Sequence, residues 1–348
     1  MAKKPSTENE AYQQLKAEIK QNALRSCYLF YGEEAYLREA YLGQIRKKLL
    51  DGPAAEFNFH RFRKDSLDWD QVSTAVEAMP MMAERTLILV EDVDLYKEPE
   101  ASREKIISIL EDLPDYCCLI FIYDTVDYSP DKRLKKLHTA LSQHALVVEF
   151  RKQSGSEMRS WIQRQARKGG KVIDNATADY LAFLKDNSLS ALVGEIEKLT
   201  AYADGEAITR MDVDTVVEPT LTAATFDISN ALADGAYERA LLKLRDLLAL
   251  QEDPILLLGT VAAQMRRLLY GRVLYENGKA PEELVKLLGG SPYGARMTMD
   301  SVRKLTSAFC KRAVLLCLEA DRQMKTSRDT PERILELLIL QLSREARP

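Results

Sequence analysis

Between Cys27 and Phe150 the sequence changes its hydrophobic period repeatedly. Short runs rich in apolar, β-branched and aromatic residues are CYLFY (27–31), FNFHRF (57–62), TLILVED (86–92), CCLIFIY (117–123) and ALVVEF (145–150). Amphipathic helical patterns lie between them, near 34–50, 69–79, 103–112 and 131–142. Several of the runs are apolar on both faces, as strands are when helices cover both sides of a parallel sheet. An alternation of this length predicts a doubly wound α/β domain over residues 1–150. After Phe150 the strand signal stops. From Ser156 to Val217 the pattern is three short helices and a turn, with Leu189, Leu192, Val193, Ile196 and Leu199 on one stripe and Thr209 as a helix cap, so 151–217 reads as a small helical domain. EPTLTAA (218–224) interrupts the pattern as a linker, and 218–348 reads as a third, all-helical domain. Its last helix has Thr330 as N-cap and Pro331 at the first helical position. The run Ile334 to Leu342 is apolar almost all round, which places it inside a bundle or between subunits. The fold class is therefore α/β plus all-α.

The chain of 348 residues holds no apolar run near the ~20 residues of a membrane-spanning helix. The polar opening MAKKPSTENEAY lacks the apolar stretch of a secretory signal and reads as a frayed lead-in, so a cytoplasmic protein is expected. A net charge of −4 argues against a dedicated duplex-binding protein, while leaving room for a local basic patch. Cys117 and Cys118 are neighbours on one strand and point to opposite faces. Cys310 and Cys317 are seven residues apart on one helix, ~10.5 Å of rise and too far for a disulfide. The three histidines, at 60, 138 and 144, have no metal-ligand spacing. No metal or cofactor is expected.

The first strand ends in Gly32 and passes into a helix, which is the layout of a phosphate-binding loop. The second glycine, the phosphate lysine and the magnesium hydroxyl are missing, and Glu33 and Glu34 follow instead. Two carboxylates there satisfy the positive end of the helix dipole and repel a triphosphate. Lys47 and Lys48 lie about four helical turns away. Glu91 and Asp92 end a strand where a magnesium-binding pair sits in an active enzyme, but with no phosphate lysine beside them they read as ordinary strand-end acids. GxSxG, HExxH and CxxC are absent, and no acid/base pair stands out. The residues point to a non-enzyme.

One stretch breaks a local rule. VSTAVEAMPMMAERTLILVED begins as an amphipathic helix that Pro80 ends, and Met81 and Met82 then stand in a connection where polar residues are usual. Two readings are open. Both methionines turn inward and plug the core, or they protrude as adaptable apolar anchors for a partner, with Glu84 and Arg85 as a polar rim.

The ordered set YLFYGEEAYLREA (28–40), AMPMMAERTLILVED (78–92), SALVGEIEKLTAYADGEAIT (190–209) and LEADRQMKTSRD (318–329) resembles the delta subunits of the bacterial DNA polymerase III clamp loader, along nearly the whole chain. The resemblance implies an AAA+-like α/β domain, a helical lid and a C-terminal helical collar that holds the pentamer together. It implies no intrinsic catalysis: delta is a non-hydrolysing member of the polymerase III holoenzyme, a DNA-directed DNA polymerase and so a nucleotidyltransferase. The missing phosphate-loop residues and the missing Ser-Arg-Cys arginine-finger motif fit that expectation. In the family, the helix end and turn matching 78–85 enter a hydrophobic pocket of the sliding clamp (beta) and open its ring for loading onto primed DNA. Pro80, Met81, Met82 and Arg85 are the matching residues here; methionine stands where many relatives carry Leu or Phe. Implied partners are the clamp, the gamma/tau and delta prime subunits, and primer-template DNA within the complex.

Arg266, Arg267, Tyr270 and Arg272 fall close together in QMRRLLYGRVLY, a mixture suited to single-strand or junction contacts. A solvated helix face with buried tyrosine is the other reading of the same residues. The basic helix carrying Arg159, Arg164, Arg167, Lys168 and Lys171 reads as solvated. Two alternatives to a clamp-opening role are an active AAA+ ATPase with a degenerate phosphate loop and a helical scaffold unrelated to replication.

Overall fold

The computed structural model describes residues 7–346 apart from 51 and 53, with side chains from Glu10 onward. The chain forms two compact units that divide between Gln153 and Ser154.

The first unit runs α1 (Thr7–Gln21), β1 (Cys27–Tyr31), α2 (Ala35–Leu49), β2 (Phe59–Arg63), α3 (Trp69–Glu77), β3 (Thr86–Glu91), α4 (Glu100–Glu111), β4 (Cys117–Ile122), α5 (Lys135–His144) and β5 (Leu146–Glu149). All five strands are parallel, in the order β2-β3-β4-β1-β5. The three inner strands β3, β4 and β1 are buried along almost their full length, because helices cover both faces. Leu29, Val72, Ile88, Ile106, Leu119 and Leu137 meet in one of the resulting cores. The edge strand β2 is half exposed and carries Arg61 and Arg63, charges that discourage edge-to-edge pairing. At the other edge α1 packs against β5, where Tyr12 and Tyr41 meet the Phe150 ring at centroid distances of 5.9 and 6.0 Å. The expected lead-in is therefore helical from Thr7; its first six residues lie outside the described ones.

This strand order positions the site. β1 lies between β4 and β5, so the turn after β1 opens at the carboxyl edge of the sheet, flanked by the ends of both neighbours. In open α/β sheets ligands bind at such an edge.

The second unit is helical: α6 (Gly155–Lys168), α7 (Asn175–Leu184), α8 (Leu189–Tyr202), α9 (Arg210–Val216), α10 (Leu221–Ala233), α11 (Tyr237–Ala249), α12 (Pro254–Glu276), α13 (Pro281–Leu288), α14 (Pro292–Val302), α15 (Ser307–Thr326) and α16 (Pro331–Glu345). Two features differ from expectation. A two-stranded ribbon, β6 (Val172–Ile173) with β7 (Ala207–Ile208), closes the α6–α9 group; two residues per strand are too few to carry an alternation signal. The expected linker 218–224 is mostly helix. Thr220 caps α10, its N–H donates to the Leu184 carbonyl at 2.9 Å, and Ala223 and Ala224 are buried. Thr209 and Thr330 cap α9 and α16, with Pro331 inside the first turn. Of the apolar run in α16, Ile334, Leu335, Leu338, Ile339 and Leu342 are buried, and Leu337 and Leu340 face outward.

Candidate partner-binding turn and the remnant phosphate loop

The turn after β1 is a tight fit. Gly32 has φ +116°, and a Cβ there would stand 2.4 Å from the Phe150 carbonyl oxygen, so only glycine serves. The Glu34 N–H donates to that same carbonyl at 2.8 Å, which removes an amide that a phosphate loop would turn toward its ligand. Arg38, one turn into α2 and 1% exposed, folds back: its Nη1 donates to the Gly32 carbonyl at 2.9 Å and its Nη2 pairs with Asp124 at the end of β4. Burial lowers the Arg38 pKa, with Glu39 and Asp92 opposing, and its Nε has no partner. The turn that would cradle an anion thus presents a carbonyl and holds a guanidinium of its own. The capping expected of Glu33 and Glu34 is only partly seen. Glu34 stands at the N-cap of α2 without a side-chain cap of good hydrogen-bond geometry, and Glu33 pairs with Lys152 at 3.0 Å. Burial raises the Glu34 pKa, against Lys152 and the Tyr36 amide, which both lower it.

Each strand-end acid is engaged through one carboxylate oxygen. Glu91 accepts from Arg61 Nε at 2.8 Å and from Arg63 Nε at 3.2 Å, across the β2–β3 pair. Asp92, at φ +56°, accepts through Oδ1 from the amides of Asp124, Thr125 and Val126 at 2.8, 2.7 and 3.4 Å. Asp92 organises the loop after β4 and Glu91 ties β2 to β3, which is the work of structural strand-end acids.

The turn between α3 and β3 has the opposite character. α3 stops at Glu77, two residues short of the expected end, because Pro80 biases the residue before it away from helical backbone. Beyond it Met79, Met81 and Met82 are 82%, 53% and 86% exposed, so the core-plug alternative does not hold. Met82 has φ +50°, a left-handed backbone that a bulky residue seldom adopts. The turn is tied down by Asn58, which is 1% exposed and ends a 3-10 turn (Ala55–Asn58) just before β2. The Met81 N–H donates to Asn58 Oδ1 at 2.7 Å, and Asn58 Nδ2 donates to the Met81 carbonyl at 2.8 Å and to the Ala54 carbonyl at 3.0 Å. Phe57, beside Asn58 in the chain, is also 66% exposed.

Arg85 is not a rim residue. Its guanidinium points into the unit and donates to the carbonyls of Leu24, Arg25 and Cys117 at 2.7, 3.0 and 2.7 Å. It staples the start of β3 to the entries of β1 and β4. Glu84 is exposed and alone keeps the expected rim position.

In the second unit, α12 brings only part of its predicted cluster together. Arg266, Arg267 and Tyr270 line a cleft of about 720 Å³ with Phe183, Phe226 and Gln264. Arg267 donates to the Gly289 carbonyl at 3.0 Å, and burial lowers its pKa. Gly290, at φ +89°, makes room for it: a Cβ there would stand 2.8 Å from Arg267 Nη2. Arg272 is not part of this cleft. It pairs with Glu276 at 2.9 Å and donates to the Val302 carbonyl at 2.9 Å, which fixes it against the neighbouring helix end. In the basic helix α6, Arg159 pairs with Asp179 at 2.7 Å; beyond the helix end Lys171 donates to the carbonyls of Ala203 and Gly205 at 2.5 and 2.7 Å.

Residues 28–151 match the sequence profile of the family described as DNA polymerase III, delta subunit. Residues 222–342 match the profile for the C-terminal domain of the DNA polymerase III delta subunit, and the two profiles together cover more than two thirds of the chain. The chain belongs to the delta-subunit family of the DNA polymerase III clamp loader. Among members of that family, the DNA polymerase III subunit delta of Bacillus subtilis is 27% identical over 330 residues, 93% of this chain and 94% of the relative. The Escherichia coli protein of the same name is 23% identical over 257 residues, 73% and 72% of the two chains. The solved structure of the Bacillus subtilis DNA clamp loader delta protein superposes with a TM-score of 0.65 at 25% identity, covering 95% of this chain and 99% of that one. The AAA+-like fold expected from the resemblance is thereby established, and this delta-family chain is a clamp-loader component of DNA replication.

In this delta-family chain, sequence reasoning missed Met79, Phe57 and Asn58. The proline after Met79 was a signal that the helix ends early. An asparagine inside the run FNFHRF was another, since asparagine is depleted in strands; the strand begins only at Phe59.

Proposed function

We propose that this chain binds the sliding clamp through Met81 and Met82 and opens its ring for loading onto primed DNA. The observation that carries the reading is the pair of methionines standing out at 53% and 86% exposure on a turn whose backbone is fixed. Large flexible apolar side chains on a projecting turn suit a hydrophobic pocket on a partner. Pro80 and the newly recognised Met79 border them. Ring opening is then a matter of differential affinity: a chain that grips the open form more tightly than the closed form shifts the clamp toward opening. The chain itself hydrolyses nothing, a reading supported by the carbonyl and guanidinium at the Gly32 turn and by the absence of a phosphate lysine. It needs no cofactor. ATP hydrolysis belongs to the gamma/tau subunits of the loader, with which, and with delta prime, it assembles in the cytoplasm.

Within the second unit, residues 151–217 act as lid and 218–348 as collar. Arg266, Arg267 and Tyr270 around their cleft contact primer-template DNA, pairing cations with an aromatic face as single-strand sites do.

The test is binding of the full chain to the cognate sliding clamp. Burying one methionine side chain contributes about 1.5–3 kcal/mol, so Met81→Ala with Met82→Ala is expected to weaken binding by about two to four decades. Because both side chains are exposed, the melting temperature should move by less than about 2 °C. Wild-type clamp affinity in the double variant sinks the reading. A nucleotide-binding measurement on the same chain tests the non-hydrolysing role, for which no ATP binding is expected.

A further inference from the structure

Between Met79 and Arg85 the backbone runs through a turn with one residue in the left-handed region and a proline that has no N–H to donate. Such a segment keeps one shape only if the surroundings impose it. Among the described residues, the hydrogen bonds that tie this backbone to the rest of the unit are the two from Asn58 to Met81. They are arranged as a strand partner would arrange them, one accepting the N–H and one donating to the C=O of the same residue. A third bond to the Ala54 carbonyl fixes the amide and settles which atom is oxygen and which nitrogen. Three of the four hydrogen-bonding positions of a side chain 1% exposed are thus spent, and two of them serve the residue that carries an exposed anchor.

We propose that Asn58 is the positioning residue of the clamp-binding turn, holding Met81 and Met82 in their projecting arrangement before the clamp arrives. The proposal rests on the reading that these methionines bind the clamp. Its physical content is preorganisation. A turn already in its bound shape does not have to be ordered during association, whereas a free one loses backbone freedom at the moment of binding. Asn58 touches no partner; it acts through Met81.

The experiment measures clamp affinity and amide hydrogen exchange on the full chain. Asn58→Ala is expected to weaken clamp binding about 10-fold or more. The Met81 amide should lose its protection while amides of β3 keep theirs. Asn58→Asp keeps the acceptor and the volume but loses both donors, so it should weaken binding likewise; it also serves if the alanine variant does not fold. A double-mutant cycle supplies the readout that a merely structural role would not move. Combined with Met82→Ala, the Asn58→Ala loss should be smaller than in the parent chain, because an anchor already absent cannot be mispositioned. Losses that simply multiply, or wild-type affinity in both Asn58 variants while the methionine double variant has lost binding, overturn the role of Asn58. Wild-type affinity in the methionine double variant overturns the clamp-binding reading instead.

Discussion

Arg85 and Arg38 show how a charged side chain acquires its role from residues far along the chain. Arg85 donates to carbonyls 61, 60 and 32 positions away, so nothing local to AERTLIL distinguishes a staple from a rim residue. Hydrogen bonds from a charged donor contribute about 1.5–3 kcal/mol each and overlap in a shared network, so Arg85→Ala is expected to cost about 3 kcal/mol in a urea titration. A loss under 1 kcal/mol would restore Arg85 to the surface. The Nε of both arginines is unpartnered, but Arg38 differs because its partner Asp124 remains half exposed, 53%, to water. Replacing a buried ion by an apolar side chain of similar length is often neutral. Arg38→Met should therefore stay within about 1 kcal/mol of the parent, whereas Arg38→Ala leaves a cavity and should lose about 3 kcal/mol. The methionines were legible as an anomaly, since two apolar residues after a proline have no local reason to be there. What hid Asn58 is that its partner lies 23 residues on, across the edge of the sheet.

The elements themselves were largely written in the sequence. Each of the five sheet strands lies within two residues of its expected bounds; the three inner ones are buried on both faces, and such runs leave an unambiguous mark. The two-residue strands β6 and β7 and the helical start hidden in EPTLTAA were not legible; one is too short to show a period, and the other is a capping threonine that resembles turn chemistry until its helix is seen. At the start of α2, Glu34 offers a test with a definite sign. Its folded pKa is raised, chiefly by burial, so the folded state holds this proton more tightly than the unfolded chain does. Stability from this group is present below the ordinary carboxylate range and is lost as pH rises through the folded pKa. Glu34→Gln should accordingly be at least as stable as the parent at pH 7, with the advantage vanishing below about pH 4; melting curves across pH would show it, and a less stable glutamine variant at pH 7 would refute it. The cysteines behave as packing. All five are free and buried, with burial pushing Cys117, Cys118 and Cys317 up to about 12 and Cys310 to about 11. A thiol reagent at pH 8 should label none in the native chain and all five after unfolding.

For the molecule as a whole, the second unit presents apolar side chains outward on two adjoining helices. Leu315 and Leu318 on α15 are 54% and 65% exposed, and Leu337 and Leu340 on the adjoining α16 are 40% and 47% exposed. Each pair is spaced to share one helix face, and exposed apolar faces of this kind mark interaction surfaces. Leu318→Glu should reduce recovery of the chain in complex with the other loader subunits, without changing its helix content by circular dichroism. Unimpaired assembly would remove this face from the interface. At the same scale, the Gly32 turn bears on how readily a nucleotide site could be built into this unit. A phosphate loop needs open space and free amides at the turn after its first strand. Here Arg38, Asp124, the Phe150 carbonyl and the amides gathered by Asp92 have closed around that space and now support one another. Placing a lysine and a hydroxyl at the turn would meet a bonded cluster, so building such a site requires several simultaneous changes, each costly by itself.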